Sequence, residues 1–384
     1  MLALDPEARA ALEDSHTPSY VAQAFYGDQL TEVDVPLDVD GSLSYEGDGV
    51  MQATGTVHVR RSDRSLVPKL ATDPLAPFGQ ELTVSRRITV GAGEATRWWD
   101  IPMGRFRIQE VPDMRNFFRL WAARKEVVGW EVELRLVDLF DVIDSDDFLQ
   151  AESPKFGNSA WAEIQRLSPL PIVQSLPDKS VPGGLAYSSR IDAITDLMSL
   201  VGGVPTLTRQ GALTARPKDA WLTTTLEQSA FTVDGVIDIS ESMSNRIYNA
   251  VVARSATGDN SIVAVRQITD PSHPLSVNGP LRRRTYKHTS PLIETQAQAN
   301  TDAETVLRRV SSKQARTIKV TCAPRPDIEL GDVGVAIDRN TRRRFLGAVS
   351  SMSFSLDPTA SMALTLIVAE ELDTVVEGDL SAWV

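Results

Sequence analysis

The stretch VGWEVELRLVDLF, residues 128–140, decides the fold class. Trp130, Val132, Leu134 and Leu136 lie on one face of an extended chain, and the residues between them are mostly charged. A period of two is that of a β-strand with one face against a core and the other in solvent. The stretch therefore predicts a half-buried strand.

Similar alternation on the N-terminal side extends this prediction into a sheet. Strands are predicted within residues 31–49, 49–63, 80–90 and 96–112. Residues 113–128 are ambiguous, because their aromatic residues fit a helical stripe about as well as a strand or a hairpin. Five or more strands spaced by turn residues are typical of an antiparallel sandwich or barrel.

A small α/β module is predicted after this region. Residues 159–171 form a short helix that ends at two prolines, and residues 188–203 have apolar residues at helical spacing. Ser188 or Ser189 can cap the second helix, and residues 204–217 resemble a hairpin that turns at Gln210 and Gly211.

Two further helices are predicted outside this module. Asp5 and Pro6 are suited to the N-cap and first helical position of a short helix within residues 1–18. Residues 294–314 have few helix breakers and predict a long helix among the strands of the last region.

The predicted fold class is α+β, mainly β, with two barrel-like β domains and a small α/β insert. The predicted domains are an N-terminal barrel-like domain (1–149), an α/β inserted domain (150–232), a second barrel-like domain with one long helix (233–372), and a loose C-terminal tail (373–384). The tail lacks periodicity, so we expect it to be loose or to dock on a neighbour.

Composition narrows the classes of function. The 384 residues have a formal net charge of −12, which disfavours a general grip on nucleic acid because phosphate binding needs clustered cations. The same charge suits either ordinary solubility or a surface along which DNA slides. The start of the sequence lacks an apolar signal region, and no apolar run approaches a membrane span, so we expect synthesis in a cytoplasm.

Neither a disulfide nor a metal site of several cysteines can form within the chain, because Cys322 is the only cysteine. It lies in TIKVTCAP, an alternating apolar stretch. We interpret it as a small buried apolar residue of a strand rather than a catalytic thiol.

Known catalytic and metal-binding patterns are missing from the sequence. The acidic cluster at 138, 141, 144, 146 and 147 lacks the glycine and the final glutamate of a calcium-binding loop, so it is interpreted as a solvated loop. The four histidines are dispersed and form no zinc motif, and neither a GxSxG motif nor a glycine-rich phosphate loop is present. We therefore predict no catalytic, cofactor-binding or metal-binding residues.

Three other features leave more than one interpretation open. The basic runs at residues 282–284 and 342–344 could bind DNA. Two other interpretations are favoured: the runs lie in solvated turns, or their charges pair with an acidic neighbouring subunit. Trp98 and Trp99 are core or interface residues, and core is the safer prediction for at least one of them.

The order of these segments resembles that of phage tail hub proteins, of the baseplate-hub or tail-associated minor tail protein type. The resemblance is found in four passages: WWDIPMGRFRIQEVP at 98–112, the helix and hairpin at 189–217, SESMSNRIYNAVVARS at 240–255, and IELGDVGVAI at 328–337. It covers most of residues 20–372, and each motif alone is weak.

The resemblance implies a structural, non-enzymatic subunit of a phage tail tip. In such a hub, three copies form a pseudo-hexameric ring that continues the tail tube and passes DNA through its lumen. The implied partners are further copies of the chain, a distal tail protein, a tape measure protein and other tail-tip proteins, without sequence-specific DNA binding. Some members of this family have an additional hydrolase region at the C-terminal end. We expect no such region within the residues up to Val384.

Three alternatives remain at this stage. A distal tail ring or adaptor protein of the baseplate would form hexamers rather than trimers. A carbohydrate-binding receptor module would need exposed aromatic residues such as Trp98 or Trp99. An enzyme would need a site assembled across the fold, because the sequence contains no local motif.

Overall fold

The computed structural model describes residues 1–121, 124–183, 185–218, 220–222, 224–243, 247–256, 262–312 and 316–372. Within these residues, no helix has both the length and the apolar character needed to span a membrane.

Strands dominate the described residues. The α-helices are α1 (Pro6–Glu13), α2 (Phe140–Ser145), α3 (Ala160–Leu167), α4 (Arg190–Leu200) and α5 (Gln296–Ser312). The strands are β1 (Thr17–Tyr26), β2 (Gln29–Glu32), β3 (Ser42–Glu46), β4 (Ala53–Arg61), β5 (Gln80–Val90), β6 (Arg97–Trp121), β7 (Arg124–Asp138), β8 (Gly203–Leu207), β9 (Leu213–Pro217), β10 (Phe231–Val233), β11 (Val236–Met243), β12 (Ala250–Ser255), β13 (Val263–Gln267), β14 (Thr285–Ser290), β15 (Arg316–Cys322), β16 (Val333–Asp338), β17 (Arg343–Ser355) and β18 (Met362–Leu372).

The mainly β fold class predicted from the sequence is confirmed. Thirteen strands form one sheet whose main path runs β11-β15-β18-β17-β3-β4-β7-β6-β5-β1-β2, with β16 and β10 on a branch from β17. Within the described residues the pairings do not close this path into a ring. The predicted domain bounds remain a prediction.

Strand β17 joins the two strand-rich regions of the sequence. Its first half pairs with β16 and its second half with β3, where Met352 lies opposite Tyr45 and Phe354 opposite Leu43. The largest core includes side chains from both regions, among them Phe106, Leu134 and Phe354, which are all buried. Side chains from both ends of the chain therefore pack in one core.

The predicted α/β segment has a core of its own, formed by α2, α3, α4 and the β8–β9 hairpin. The capping predictions are confirmed, because Ser189 accepts a hydrogen bond from the N–H of Asp192 at 3.2 Å. Asp5 similarly caps α1 through the N–H of Glu7 at 2.8 Å. Gly202, just after α4, has a φ of +90°, a left-handed conformation that favours glycine.

A third unit consists of the sheet β13-β12-β14 with α5 packed on it. The predicted long helix is α5, and its apolar side chains face this sheet, with Ala303 and Val306 buried and Leu307 and Val310 partly buried. The strand predicted at TIKVTCAP, residues 317–324, is also confirmed as β15.

Two sequence interpretations need correction or resolution. Residues 33–40 alternate like a strand, but they form an irregular segment with one isolated bridge between Leu37 and Val59. Pro36 has no N–H to donate to a neighbouring strand, and Val33 and Val39 are exposed. Residues 113–121 end β6 and residues 124–128 begin β7, and these strands pair antiparallel, so the hairpin alternative applies there. Residues 257–260, whose types predict a turn between two strands, and the predicted tail at 373–384 lie outside the described residues.

Candidate assembly surfaces and interdomain joints

Two of the histidines lie beside acidic side chains. His58 is close to Glu131, with 3.4 Å between Nδ1 and Oε1, and His288 is 3.1 Å from Asp302. In the part of the chain that the structure describes, no three histidine, cysteine or acidic side chains come together in a way that could hold a metal ion.

The acidic cluster is not the uniformly solvated loop predicted from the sequence. Asp138 is buried at the end of β7, where its carboxylate accepts hydrogen bonds from the N–H groups of Gln52 at 2.6 Å and Ala53 at 2.7 Å. It also accepts one from Phe140 at 3.1 Å. Burial raises the pKa of Asp138 to about 6, although these N–H donors lower it. Asp144 and the acids that follow it are exposed.

Cys322 has the structural role predicted from the sequence. It is buried in β15, and burial raises the pKa of its thiol to about 11. A thiol with such a pKa is a poor nucleophile at neutral pH.

The two adjacent tryptophans point in different directions. Trp99 packs partly buried against a small core beneath α1, whereas 58% of Trp98 is exposed. The Arg87 guanidinium lies 5.9 Å from the centre of the Trp98 ring.

Each arginine run begins in a tight turn. Arg282 and Arg342 have φ values of +59° and +56°, which side-chain-bearing residues rarely adopt. Arg343, in the second run, forms an ion pair with Glu241 of the same chain. At least one arginine of the two runs therefore pairs with an acid of its own chain.

A buried arginine joins the inserted segment to the main sheet. Arg209, in the turn between β8 and β9, donates hydrogen bonds to the carbonyl oxygens of Met103 at 2.7 Å and Ile328 at 2.8 Å. Its guanidinium carbon lies 4.7 Å from the centre of the Tyr45 ring. The sequence reasoning missed this residue, because a single arginine beside a turn is ordinarily a surface residue.

A second joint involves Gln52, immediately before β4. Its side-chain N–H donates to the carbonyl oxygen of Pro205 at 2.7 Å, and its side-chain oxygen accepts from the Thr206 hydroxyl at 3.1 Å. Since the Gln52 backbone also donates to Asp138, these contacts tie the inserted hairpin to the end of β7.

The ends of the large sheet are candidate surfaces for assembly. In the described pairings, β2 bonds only to β1, and β11 bonds only to β15. An edge strand presents backbone N–H and C=O groups that a strand of another chain can pair with. Ile237 and Met243 on β11 are exposed, as are Tyr26 and Leu30 at the other end.

Charge pairs differ between these two ends. On β11, Glu241 accepts a hydrogen bond from the Arg316 Nε at 2.9 Å and also pairs with Arg343, so hydrogen bonding lowers its pKa. Near β2, Asp28 lies 3.7 Å from Arg105 with its carboxylate fully exposed. Carboxylate charge is therefore more available to a partner at the β2 end.

Comparison with known proteins adds to this picture. A scan against protein-family models found no match, and a search of curated proteins found none either. Solved structures do match along nearly the whole chain. A tail protein from Neisseria meningitidis is 12% identical, with a TM-score of 0.59 over 91% of this chain and 96% of that one.

The chain shares its fold with solved tail proteins. The 43 kDa tail protein of prophage MuSo2 from Shewanella oneidensis matches with a TM-score of 0.56 and 12% identity, over 92% of this chain and 99% of that one. A prophage tail protein from Listeria monocytogenes matches with a TM-score of 0.52 and 9% identity, over 95% and 97% of the two chains. At these identities the likeness concerns the fold alone.

Proposed function

We propose that the protein is a structural, non-enzymatic hub subunit of a phage tail tip. The observation that carries the proposal is the whole-chain fold shared with the Neisseria, Shewanella and Listeria tail proteins. Because each of those chains is covered over 96% or more of its length, the likeness extends beyond a single common module.

In this proposal three copies close into a ring that continues the tail tube. A sheet whose described ends are exposed edge strands suits such a ring, since each edge pairs or packs against the next copy. The distal tail protein, the tape measure protein and other tail-tip proteins are the proposed neighbours, and the virion tail tip is the proposed location.

DNA passes through the ring without specific binding in this proposal. The net charge of −12 supports it, because like charge on the lumen wall keeps the phosphate backbone from adhering. Counting charges along the channel of an assembled ring tests this part, and a strongly basic lumen would contradict it.

Mass in solution tests the ring. We expect light scattering on the purified chain, over a series of concentrations, to approach three times the mass of the chain. A stable hexamer would favour a distal tail ring or adaptor protein instead. A mass that stays at one chain over the whole series would overturn the proposed function.

A further inference from the structure

The outer part of the β6–β7 hairpin projects beyond the rest of the sheet. Strand β6 pairs with β5 only as far as Arg107, which lies opposite Glu81. Strand β7 pairs with β4 only from Trp130 onward. Beyond these points, in the pairings of the described residues, the two strands bond only to each other, for example at Phe118 and Val127. A two-stranded ribbon without other support is marginally stable in water.

Apolar side chains on this ribbon are exposed. Leu120 is 80% exposed, and Met114, Phe118, Val127 and Val128 are each between 44% and 48% exposed. We call these five side chains, with the ribbon that holds them, the hairpin arm. A contiguous exposed apolar surface of this kind ordinarily marks an interaction site.

The hairpin arm is basic in an acidic chain. Residues 115–127 contain Arg115, Arg119, Arg124 and Lys125 but only one acid, Glu126. Arg115 is held by the buried carboxylate of Glu131 near the base, whereas Arg124 and Lys125 are exposed. The four basic residues and one acid give this segment three net positive charges. Since the whole chain has a net charge of −12, the rest of the chain is more negative than the whole by three charges.

A matching surface lies at the β2 end of the same sheet. Tyr26, Leu30 and Phe78 are exposed there, and Gly79 lies within reach of the Tyr26 ring. Asp28 is fully exposed, and Asp34, two residues beyond β2 and beside Arg87, is also exposed. We call this set the acidic corner. It offers apolar area and negative charge, and Asp28 has one arginine neighbour, Arg105, whereas Glu241 at the β11 end has two.

We propose that the hairpin arm of one copy docks on the acidic corner of the next copy of this chain. The inference rests on the proposed function, for which it supplies the contact between subunits. Leu120 and Phe118 would be covered by the neighbour's apolar side chains, and Arg124 and Lys125 would face Asp28 and Asp34. Complementary charge sets orientation and partner choice at such a contact, and the covered apolar area supplies affinity.

The first test compares two exposed leucines. Leu120→Ser changes the hairpin arm, and Leu149→Ser changes a fully exposed leucine elsewhere on the surface. By light scattering over a concentration series, we expect Leu120→Ser to weaken self-association by about tenfold or more. Leu149→Ser should associate like the parent chain. Thermal unfolding of both variants checks that they are folded.

The second test swaps charge between the two surfaces. Arg124→Glu with Lys125→Glu should weaken association, and so should Asp28→Lys with Asp34→Lys. A chain with all four changes restores opposite charge at every contact, so its association should recover to within about threefold of the parent. Recovery distinguishes docking between copies from unrelated damage to either surface.

Each outcome has a separate meaning. If the parent is a trimer and Leu120→Ser is unchanged, or the four-fold variant does not recover, the docking inference is overturned and the proposed function stands. If the parent is a monomer throughout, both are overturned. If the chain binds vesicles of phosphatidylglycerol and phosphatidylcholine, and Leu120→Ser abolishes this without altering the mass, the arm contacts lipid and the inference is overturned.

Discussion

The inner and outer halves of the β6–β7 hairpin are both built of paired strands but have opposite surroundings. Val132 and Leu134 in the inner half are buried, while Phe118 and Leu120 in the outer half are exposed. The inner half has β4 and β5 as neighbours, and the outer half has neither. Apolar side chains along a strand thus do not indicate whether the same chain or another chain covers them.

A core substitution in the inner half should give the largest effect on stability. Leu134→Ala removes a fully buried side chain, and we expect a loss of about 2–5 kcal/mol in the free energy of unfolding. Leu120→Ala should change it by no more than about 0.5 kcal/mol. Urea unfolding at a concentration low enough to keep the chains separate measures both. Equal losses would mean that the outer half is part of the folded core.

Removal of the buried arginine should have the next largest effect. Arg209→Ala leaves the Ile328 carbonyl without this donor and the Met103 carbonyl with the Tyr45 hydroxyl alone, and we expect a loss of about 2–4 kcal/mol. The control is Arg97→Ala, which removes an exposed ion pair with Glu7 and should cost less than about 1 kcal/mol. A loss of this small size for Arg209→Ala would show that the inserted hairpin is held by other contacts.

The buried carboxylate at the end of β7 should give stability a dependence on pH. The pKa of Asp138 is about 6 in the folded chain against an ordinary 3.8, so the folded state binds more protons between these values. Stability should therefore fall as the pH rises from 4 to 6, by up to about 3 kcal/mol. Urea unfolding across this range checks it. Asp138→Asn should lose this component, and Asp144→Asn should keep it.

The smallest effect is expected at the exposed β11 edge. Hydrogen bonds from Arg316 and Arg343 lower the pKa of Glu241, so their contribution is present at neutral pH and is lost as the pH falls through the lowered value. Because this pair is partly exposed, Glu241→Gln should cost less than about 1 kcal/mol at pH 7. Thermal unfolding beside the exposed Glu227→Gln control measures it. A loss above about 2 kcal/mol would assign the edge a larger role in folding.

Much of the secondary structure could be predicted from the sequence, because local physics decides it. The period of two placed β5 and β7, and the side chains of Asp5 and Ser189 marked the starts of α1 and α4. The same pattern failed at residues 33–40, where Pro36 interrupts pairing.

Contacts between distant segments could not be predicted in this way. Arg209 is buried only because Met103 and Ile328, far away in the sequence, both turn a carbonyl group toward it. Asp138 and the exposed Asp144 belong to the same acidic cluster of the sequence, and Asp138 differs because the backbone of Gln52 lies against it. The hairpin arm is likewise exposed because β4 and β5 stop pairing before they reach it. The local sequence pattern does not show where that pairing ends.

Electron microscopy of assembled virions tests the central claim most directly. Class averages of the tail tip should contain this chain as a threefold ring around a central channel, with the hairpin arm of each copy against the acidic corner of its neighbour. A chain that is absent from the virion, or present there as single copies without a ring, would contradict the account.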